Sequence, residues 1–292
     1  MKIYNKRYYG STCHIVEFNP YDLRLVDTAG DPTRRQHIAS IYGDPKINEV
    51  TWLRVNRSFY HMSNPRSLSI GDAMGDAFIN AAFKDKKLYF EPDIPDNPKW
   101  NVGTSYLLMK DRQYSYANEQ YFSAILGKNP RTFFGQGDNM IKFIAADGRR
   151  LFESGLSSNE QRAVCRAEGL HNAANLDGGG SSALMIEDRL INKSYDGRGL
   201  GHIFCGYKTL RRSDIANLPL IGGWWWGSYR NGVYTHLLQR LLWANGVDTG
   251  YIDGLIGNVT RGAIRAYQQR ERLTVDGLVG QITWGRLLEG VV

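Results

Sequence analysis

Two patterns of apolar and polar positions divide the chain. Through residues 1–210 the apolar residues come in short runs, HIVEF from His14, LRLVD from Leu23, MIKFIAAD from Met140 and SALMI from Ser182, separated by Gly, Asn, Asp and Pro. Short apolar runs bounded by turn residues predict strands. One segment differs: Ser158–Gly169 places Ala163, Val164 and Ala167 on one helical face and ends in a glycine suited to a helix stop. Clustered strands with few helices predict an α+β domain with mainly antiparallel sheet.

Beyond residue 230 the period changes. VYTHLLQRLLWANG sets Val233, Leu237, Leu238, Leu241 and Leu242 at helical spacing, with Gly246 as its stop. Asp253–Thr260 (DGLIGNVT) and Asp276–Thr283 (DGLVGQIT) then repeat one pattern 23 residues apart. Each reads as an Asp-Gly turn, an apolar pair, a second glycine and a helix start whose Thr can satisfy free amides. The helix between the copies sets Val259, Ala263, Ala266, Tyr267 and Arg270 along one side. A small all-α three-helix domain over 231–292 is expected, joined to a domain at 1–210 by a Pro-, Gly- and charge-mixed linker at 211–230. Trp224, Trp225 and Trp226 in that linker read as packing at a junction, with a stacking platform for sugar rings as the other reading.

Composition narrows the class. At 292 residues, 42% hydrophobic and 22% charged, the chain is that of an ordinary folded protein. No apolar stretch is long enough to span a bilayer, and the basic, polar start shows no signal peptide, so synthesis in the cytoplasm is expected. Three widely spaced Cys without a CxxC argue against a disulfide framework or a structural zinc site. The net charge of +7 favours an anionic partner without naming one. Basic clusters interleaved with aromatics are lacking, so nucleic acid is not expected as partner, and without a long apolar stretch neither is a membrane.

The sharpest local signal is NLDGGGSSALM, Asn175–Met185. Three successive glycines carry a high conformational-entropy cost and fit where backbone bends sharply or lies against a ligand. Asp177 on one side and Ser181 and Ser182 on the other add a carboxylate and hydroxyls. Without Gly-Lys-Ser/Thr this is no nucleotide phosphate loop. From residue types alone, a polar small-molecule site and a tight strand-to-strand turn both remain open.

Four stretches in order resemble the phosphodiester glycosidase family, which includes the lysosomal enzyme that uncovers mannose phosphate by removing N-acetylglucosamine. They are VNRSFY (Val55–Tyr60), NPRTFFGQG (Asn129–Gly137), FIAADGRR (Phe143–Arg150) and the segment leading into NLDGGGSS. Arg57 and Ser58 depart from the small residues of the family pattern. The doubled DGL(I/V)G pattern, with its LQ, AYQQ and TW companions, resembles the peptidoglycan-binding domain of cell-wall hydrolases.

The first resemblance implies hydrolysis of a sugar 1-phosphodiester at the anomeric carbon. Asp177 and Asp147 are then the candidate carboxylates, and Arg131, Arg149 and Arg198 the phosphate ligands. Asn56 and Asn175 would fix sugar hydroxyls, while Ser181 and the Gly178, Gly179 and Gly180 amides would receive developing charge. His61 and His202 are candidate proton carriers. No cofactor and no metal site are expected, since HxH and HExxH spacings are lacking; a calcium ion on Asp and Asn oxygens stays open. With the second resemblance the expected partner is the bacterial cell wall, peptidoglycan and teichoic acid, and the architecture fits a phage endolysin acting there after holin-mediated release. The other readings are a peptidoglycan-cleaving glycosidase using Asp177 with Asp147 or Glu153, and a non-catalytic wall-binding virion protein.

Overall fold

Strand follows strand through the first half of the chain. They are β1 (Lys2–Tyr8), β2 (Ser11–Phe18), β3 (Arg24–Ala29), β4 (Glu49–Asn56), β5 (Ile79–Lys84), β6 (Lys87–Phe90), β7 (Trp100–Thr104), β8 (Leu107–Lys110) and β9 (Gln113–Tyr114). Then come β10 (Arg131–Gln136), β11 (Ile141–Ala146), helix α1 (Ser158–Ala167), β12 (Asn172–Asn175), β13 (Leu184–Ile186), β14 (Arg189–Leu190) and β15 (His202–Thr209). The computed structural model describes residues 1–29, 36–56, 79–90, 93–96, 100–200, 202–222 and 231–292. Arg57, Ser58, His61, Trp224, Trp225 and Trp226 lie outside the described residues. The chain divides into two units, Met1–Gly43 with Leu53–Gly206, and Asp44–Trp52 with Tyr207–Val292.

The first unit is built on a seven-stranded sheet in the order β1-β2-β11-β10-β12-β8-β9, antiparallel at every step. A second sheet runs β14-β13-β4-β15-β3, and a third β6-β5-β7. Successive residues of a strand face opposite ways. On one face Phe133 and Ile144 therefore pack with Cys13, Ile15 and Val164 and Cys165 of α1. On the other, Phe134 and Phe143 stack at 5.4 Å and meet Phe204 of β15 at 5.5 and 5.6 Å. Both faces of β10 and β11 are thus covered, which is why these strands read as continuous apolar runs rather than alternations. Each buried Phe contributes about 1.5–3 kcal/mol of hydrophobic stabilisation. The α+β class with mainly antiparallel sheet is what the apolar pattern predicts.

Helix α1 begins in a capping box. The Glu160 amide donates to Ser157 Oγ (3.3 Å) and the Ser157 amide to Glu160 Oε2 (2.8 Å). It ends at Ala167, with Glu168 as its C-cap and then Gly169, which takes φ +72°. From this helix Gln161 reaches Asn175 at the end of β12 (2.7 Å), tying helix to glycine loop.

The second unit holds α2 (Val233–Ala244), α3 (Asn258–Arg270), α4 (Gln281–Leu288) and a short antiparallel pair, β16 (Ile221–Gly222) with β17 (Leu278–Val279). Its core is Leu237, Leu238, Leu241, Leu242, Ile264, Tyr267, Trp284 and Leu287. The Asp253 and Asp276 copies fold alike. Leu255 N and Leu278 N donate to Asp253 and Asp276 Oδ1 (2.9 and 2.8 Å), and Gly254 and Gly277 take φ +74° and +73°. A buried glutamine closes each loop. Gln239 Nε2 donates to Asp253 Oδ1 and the Leu255 carbonyl, and Gln268 Nε2 to Asp276 Oδ1 and the Leu278 carbonyl.

Two local expectations are corrected here. Thr260 and Thr283 do not cap: Gly257 and Gly280 hold the cap positions, so each Thr lies within the first turn with its hydroxyl turned inward to Gln239 or Gln268. The buried stripe of α3 is Thr260, Ala263, Ile264, Tyr267 and Gln268, leaving Val259 60% exposed, because polar Gln268 faces the loop it closes. Residues 211–222 make contacts within this unit. Trp284 Nε1 donates to the Pro219 carbonyl (2.8 Å), Gln281 Nε2 to that of Ala216 (3.2 Å), and β16 pairs with β17.

Candidate active site

The glycine loop leaves β12 and is fastened to the start of β10. Leu176 N donates to the Thr132 carbonyl (2.8 Å) and Gly179 N to that of Pro130 (2.9 Å). The turn after β11 is pressed against the same place, where a side chain on Gly148 would meet Pro130 N at 2.8 Å. Distant stretches of sequence are thereby gathered around a cavity of about 270 Å³ lined by Asp177, the three glycines, Ser181, Arg131, Arg149 and Arg198, together with Ile125 and Asn129.

Asp177 is the one acid lining this cavity among the described residues. Burial raises its carboxyl to about 6 against the lowering effect of the Ser181 hydroxyl, the Gly178 amide (2.8 Å to Oδ1) and the Arg198 charge. Arg131 is buried, held by the carbonyls of Leu156 (2.9 Å), Gly127 (2.6 Å) and Ile125. These neutral acceptors fix its plane and leave Nη1 with no acceptor from the protein among the described residues. Burial, together with the neighbouring Arg149, lowers its affinity for the proton, and no carboxylate among the described residues compensates the charge. Arg149, at φ +56°, is oriented by Asn129 Oδ1, which accepts from Nε (3.1 Å) and Nη2 (2.5 Å). A buried and a surface guanidinium without acidic partners among the described residues, side by side at a cavity wall, leave positive potential for an anion to neutralise. Arg198 differs in that Asp196 accepts from its Nε (2.9 Å) and Nη2 (2.5 Å).

The second expected carboxylate and the two asparagines lie outside the cavity lining. Asp147 is fully buried outside the cavity lining: its Oδ2 meets His14 Nε2 at 2.7 Å, and its Oδ1 accepts from Lys193 N (2.7 Å) and Ser194 Oγ (3.0 Å). Burial works against its ionisation, yet His14 and these donors hold its carboxyl below the usual range, so it pins the segment after β14 as a fixed anion. Asn56 and Asn175 are also buried within the protein. Asn56 donates to the Asp177 carbonyl (2.8 Å) and accepts from Thr132 Oγ1 and Ala183 N, while Asn175 joins Gln161, Ser105 Oγ (2.7 Å) and the Leu176 carbonyl. They hold the loop from both sides through these bonds. The Gly178 and Gly179 amides are likewise engaged internally, by Asp177 Oδ1 and the Pro130 carbonyl.

Residue types alone did not expose Asp196 or Asn129. The first stands two residues before Arg198 in YDGRG and the second opens NPRTFFGQG, so both lay within quoted motifs without a visible direction. Among the described residues no group of three or more His, Cys, Asp and Glu side chains could hold a metal ion. Nor is any described helix long and apolar enough to cross a membrane.

The profile of the phosphodiester glycosidase family matches residues 56–205. The chain belongs to the phosphodiester glycosidase family. That of a peptidoglycan binding domain matches residues 232–287, so a family glycosidase domain is followed by a wall-binding module. Among solved structures the fold is similar to the catalytic domain of zebrafish N-acetylglucosamine-1-phosphodiester alpha-N-acetylglucosaminidase, auto-inhibited by its pro-peptide. The TM-score is 0.53 at 13% identity, over 72% of this chain and 82% of that one. A hypothetical protein from Synechocystis gives a TM-score of 0.55 at 13% identity, over 70% of this chain and 61% of that one. The SPbeta prophage-derived uncharacterized protein YomE of Bacillus subtilis (strain 168) is 36% identical over 91 residues, which are 31% of this chain and 14% of YomE.

Proposed function

We propose that the protein hydrolyses glycosyl 1-phosphodiester bonds in bacterial cell-wall polymers, such as the bond joining teichoic acid to peptidoglycan. The observation that carries this reading is the pairing, at the same cavity, of one carboxylate raised to about 6 with two guanidiniums, Arg131 and Arg149, that have no acidic partner among the described residues. The arginines bind the diester phosphate and take up the charge that grows as the C1–O bond breaks and its electron pair passes to the phosphate oxygen. A phosphate is already a good leaving group and needs little general acid. Asp177 acts ionised, as nucleophile or as base toward water, and the products are a free reducing sugar and a phosphomonoester. Ser181 and Gly178 N orient its carboxylate.

The wall-binding module supports a polymer as substrate, since tethering raises the effective concentration of the catalytic domain there. The prophage origin of YomE supports a phage source, and with it an endolysin acting on the wall after lysis begins. A peptidoglycan glycosidase with two carboxylates fits less well, because Asp147 is engaged by His14 and Glu153 by Thr12 and Arg7.

Purified walls provide the test. Released phosphomonoester from teichoic-acid-bearing walls, with no new reducing ends from walls stripped of teichoic acid, is expected. Reducing ends from the stripped walls alone would refute the phosphodiester assignment.

A further inference from the structure

The cavity at Asp177 does not end at Arg198. A neighbouring depression of about 290 Å³ shares Arg149, Gly180 and Arg198 with it and adds Arg150, Lys193, Ser194, Tyr195 and Asp196. Asp196 is its single carboxylate among the described residues, already held by Arg198. The Arg150 guanidinium donates to the Lys193 carbonyl (3.0 Å), and the Lys193 residue is exposed; neither side chain has an acidic partner among the described residues. Four cations against one carboxylate therefore line this second depression, more charge than a single diester at Asp177 calls for.

We infer that the second depression is an extended anion subsite for the phosphate of the next repeat of a polyol-phosphate chain. The inference rests on the proposed hydrolysis at Asp177 and names its substrate class: a polymer with successive phosphodiesters is preferred over an isolated one. Backbone rigidity fits such a role. Lys193 N and Ser194 Oγ donate to the buried, ionised Asp147, and Ser194 Oγ accepts from Gly148 N (2.9 Å), so the segment bearing Lys193 is fixed to the turn bearing Arg149 and Arg150. A nucleic acid shares the phosphates but needs faces for its bases. The one aromatic here, Tyr195, packs its ring on His37 (centroids 5.2 Å apart) and donates its hydroxyl to the Arg198 carbonyl. The lining is therefore suited to a base-free chain.

The test measures binding of a glycerol phosphate oligomer and of a single glycerol phosphodiester to the full chain by calorimetry across salt concentrations. The inference expects the oligomer to bind more tightly, with a steeper salt dependence. In Lys193→Gln and Arg150→Gln the preference for the oligomer should fall by about tenfold or more, with the salt slope lowered by about 1 per cation removed. Lys193→Gln removes no side-chain bond, so a folding defect cannot account for its effect. An unchanged preference in both variants, or equal binding of a single-stranded oligonucleotide of the same charge, overturns the inference. If the oligomer binds as described while a small glycosyl phosphodiester is never cleaved, the subsite stands and the hydrolytic reading falls.

Discussion

Asp196 closes over Gly180. Its amide donates to the Gly180 carbonyl at 3.1 Å, and a Cβ on Gly180 would lie 2.1 Å from Asp196 Oδ2 and 2.6 Å from Arg198 Nη2. The third glycine thus makes room for an ion pair, and the pair in turn places Arg198 at the cavity. Gly180→Ala is expected to displace both side chains and lower kcat/KM on a glycosyl phosphodiester by about tenfold or more. Because Asp196 and Arg198 are near the surface, the melting temperature should move little. An active variant with wild-type kcat/KM would show that this pair is irrelevant to the site.

Asp177 has a testable protonation. Its carboxyl is raised to about 6, so the ionised form required for attack or base action is gained as pH rises through that value. The kcat/KM profile should climb through pH 6 on its acid limb. Asp177→Asn should cost about 10³-fold in rate and leave wall binding by the second unit untouched. A profile that falls through pH 6 would assign Asp177 as a proton donor instead.

Asn56 is predicted to matter for the loop rather than for the sugar. Replacing it with Ala strips the Asp177 carbonyl, Thr132 Oγ1 and Ala183 N of a shared buried partner, at a cost of about 2–4 kcal/mol in denaturant unfolding. A Michaelis constant that changes while stability does not would instead return Asn56 to the substrate.

A pH-dependent stability is expected from Glu168. Burial opposes its charge, but Lys6, Tyr8, Lys142 and Tyr4 hold its carboxyl at about 2, below its unfolded value. A depressed carboxyl stabilises the fold above its unfolded pKa and loses that contribution as pH falls toward the folded one. Wild type should therefore weaken between about pH 4.5 and 2 more steeply than Glu168→Gln, whose loss at neutral pH should be about 3 kcal/mol. Parallel curves in acid denaturation would contradict this.

In the second unit Gln268→Leu should cost about 2–3 kcal/mol, since it removes acceptor and donor from a buried loop. Gln239→Leu should do the same in the other copy. Thermal unfolding of the pair reads whether the two loops are equivalent.

Much of the fold is visible in the chain because its signals are local. The glycine stop of α1 at Gly169, the stripe of α2 and the two Asp-Gly loops each depend on residues close in sequence. The candidate site was legible as residue types: Asp177, Arg131, Arg149 and Arg198 do meet at one cavity. Which way a polar side chain points was not legible. Asp147 resembles a catalytic acid until His14, 133 residues away, is seen against it, and Asn56 becomes a loop staple only beside Asp177, 121 residues away. Long-range strand pairing decides both, and one-dimensional spacing carries no record of it.

The most direct test of the central claim is phosphorus NMR of the protein with a defined sugar 1-phosphodiester, beside Asp177→Asn. Conversion of the diester resonance to a phosphomonoester by wild type, abolished in the variant, is the predicted result. A diester signal that persists with wild type, or disappears equally fast with Asp177→Asn, would contradict the assignment of this cavity as the catalytic centre.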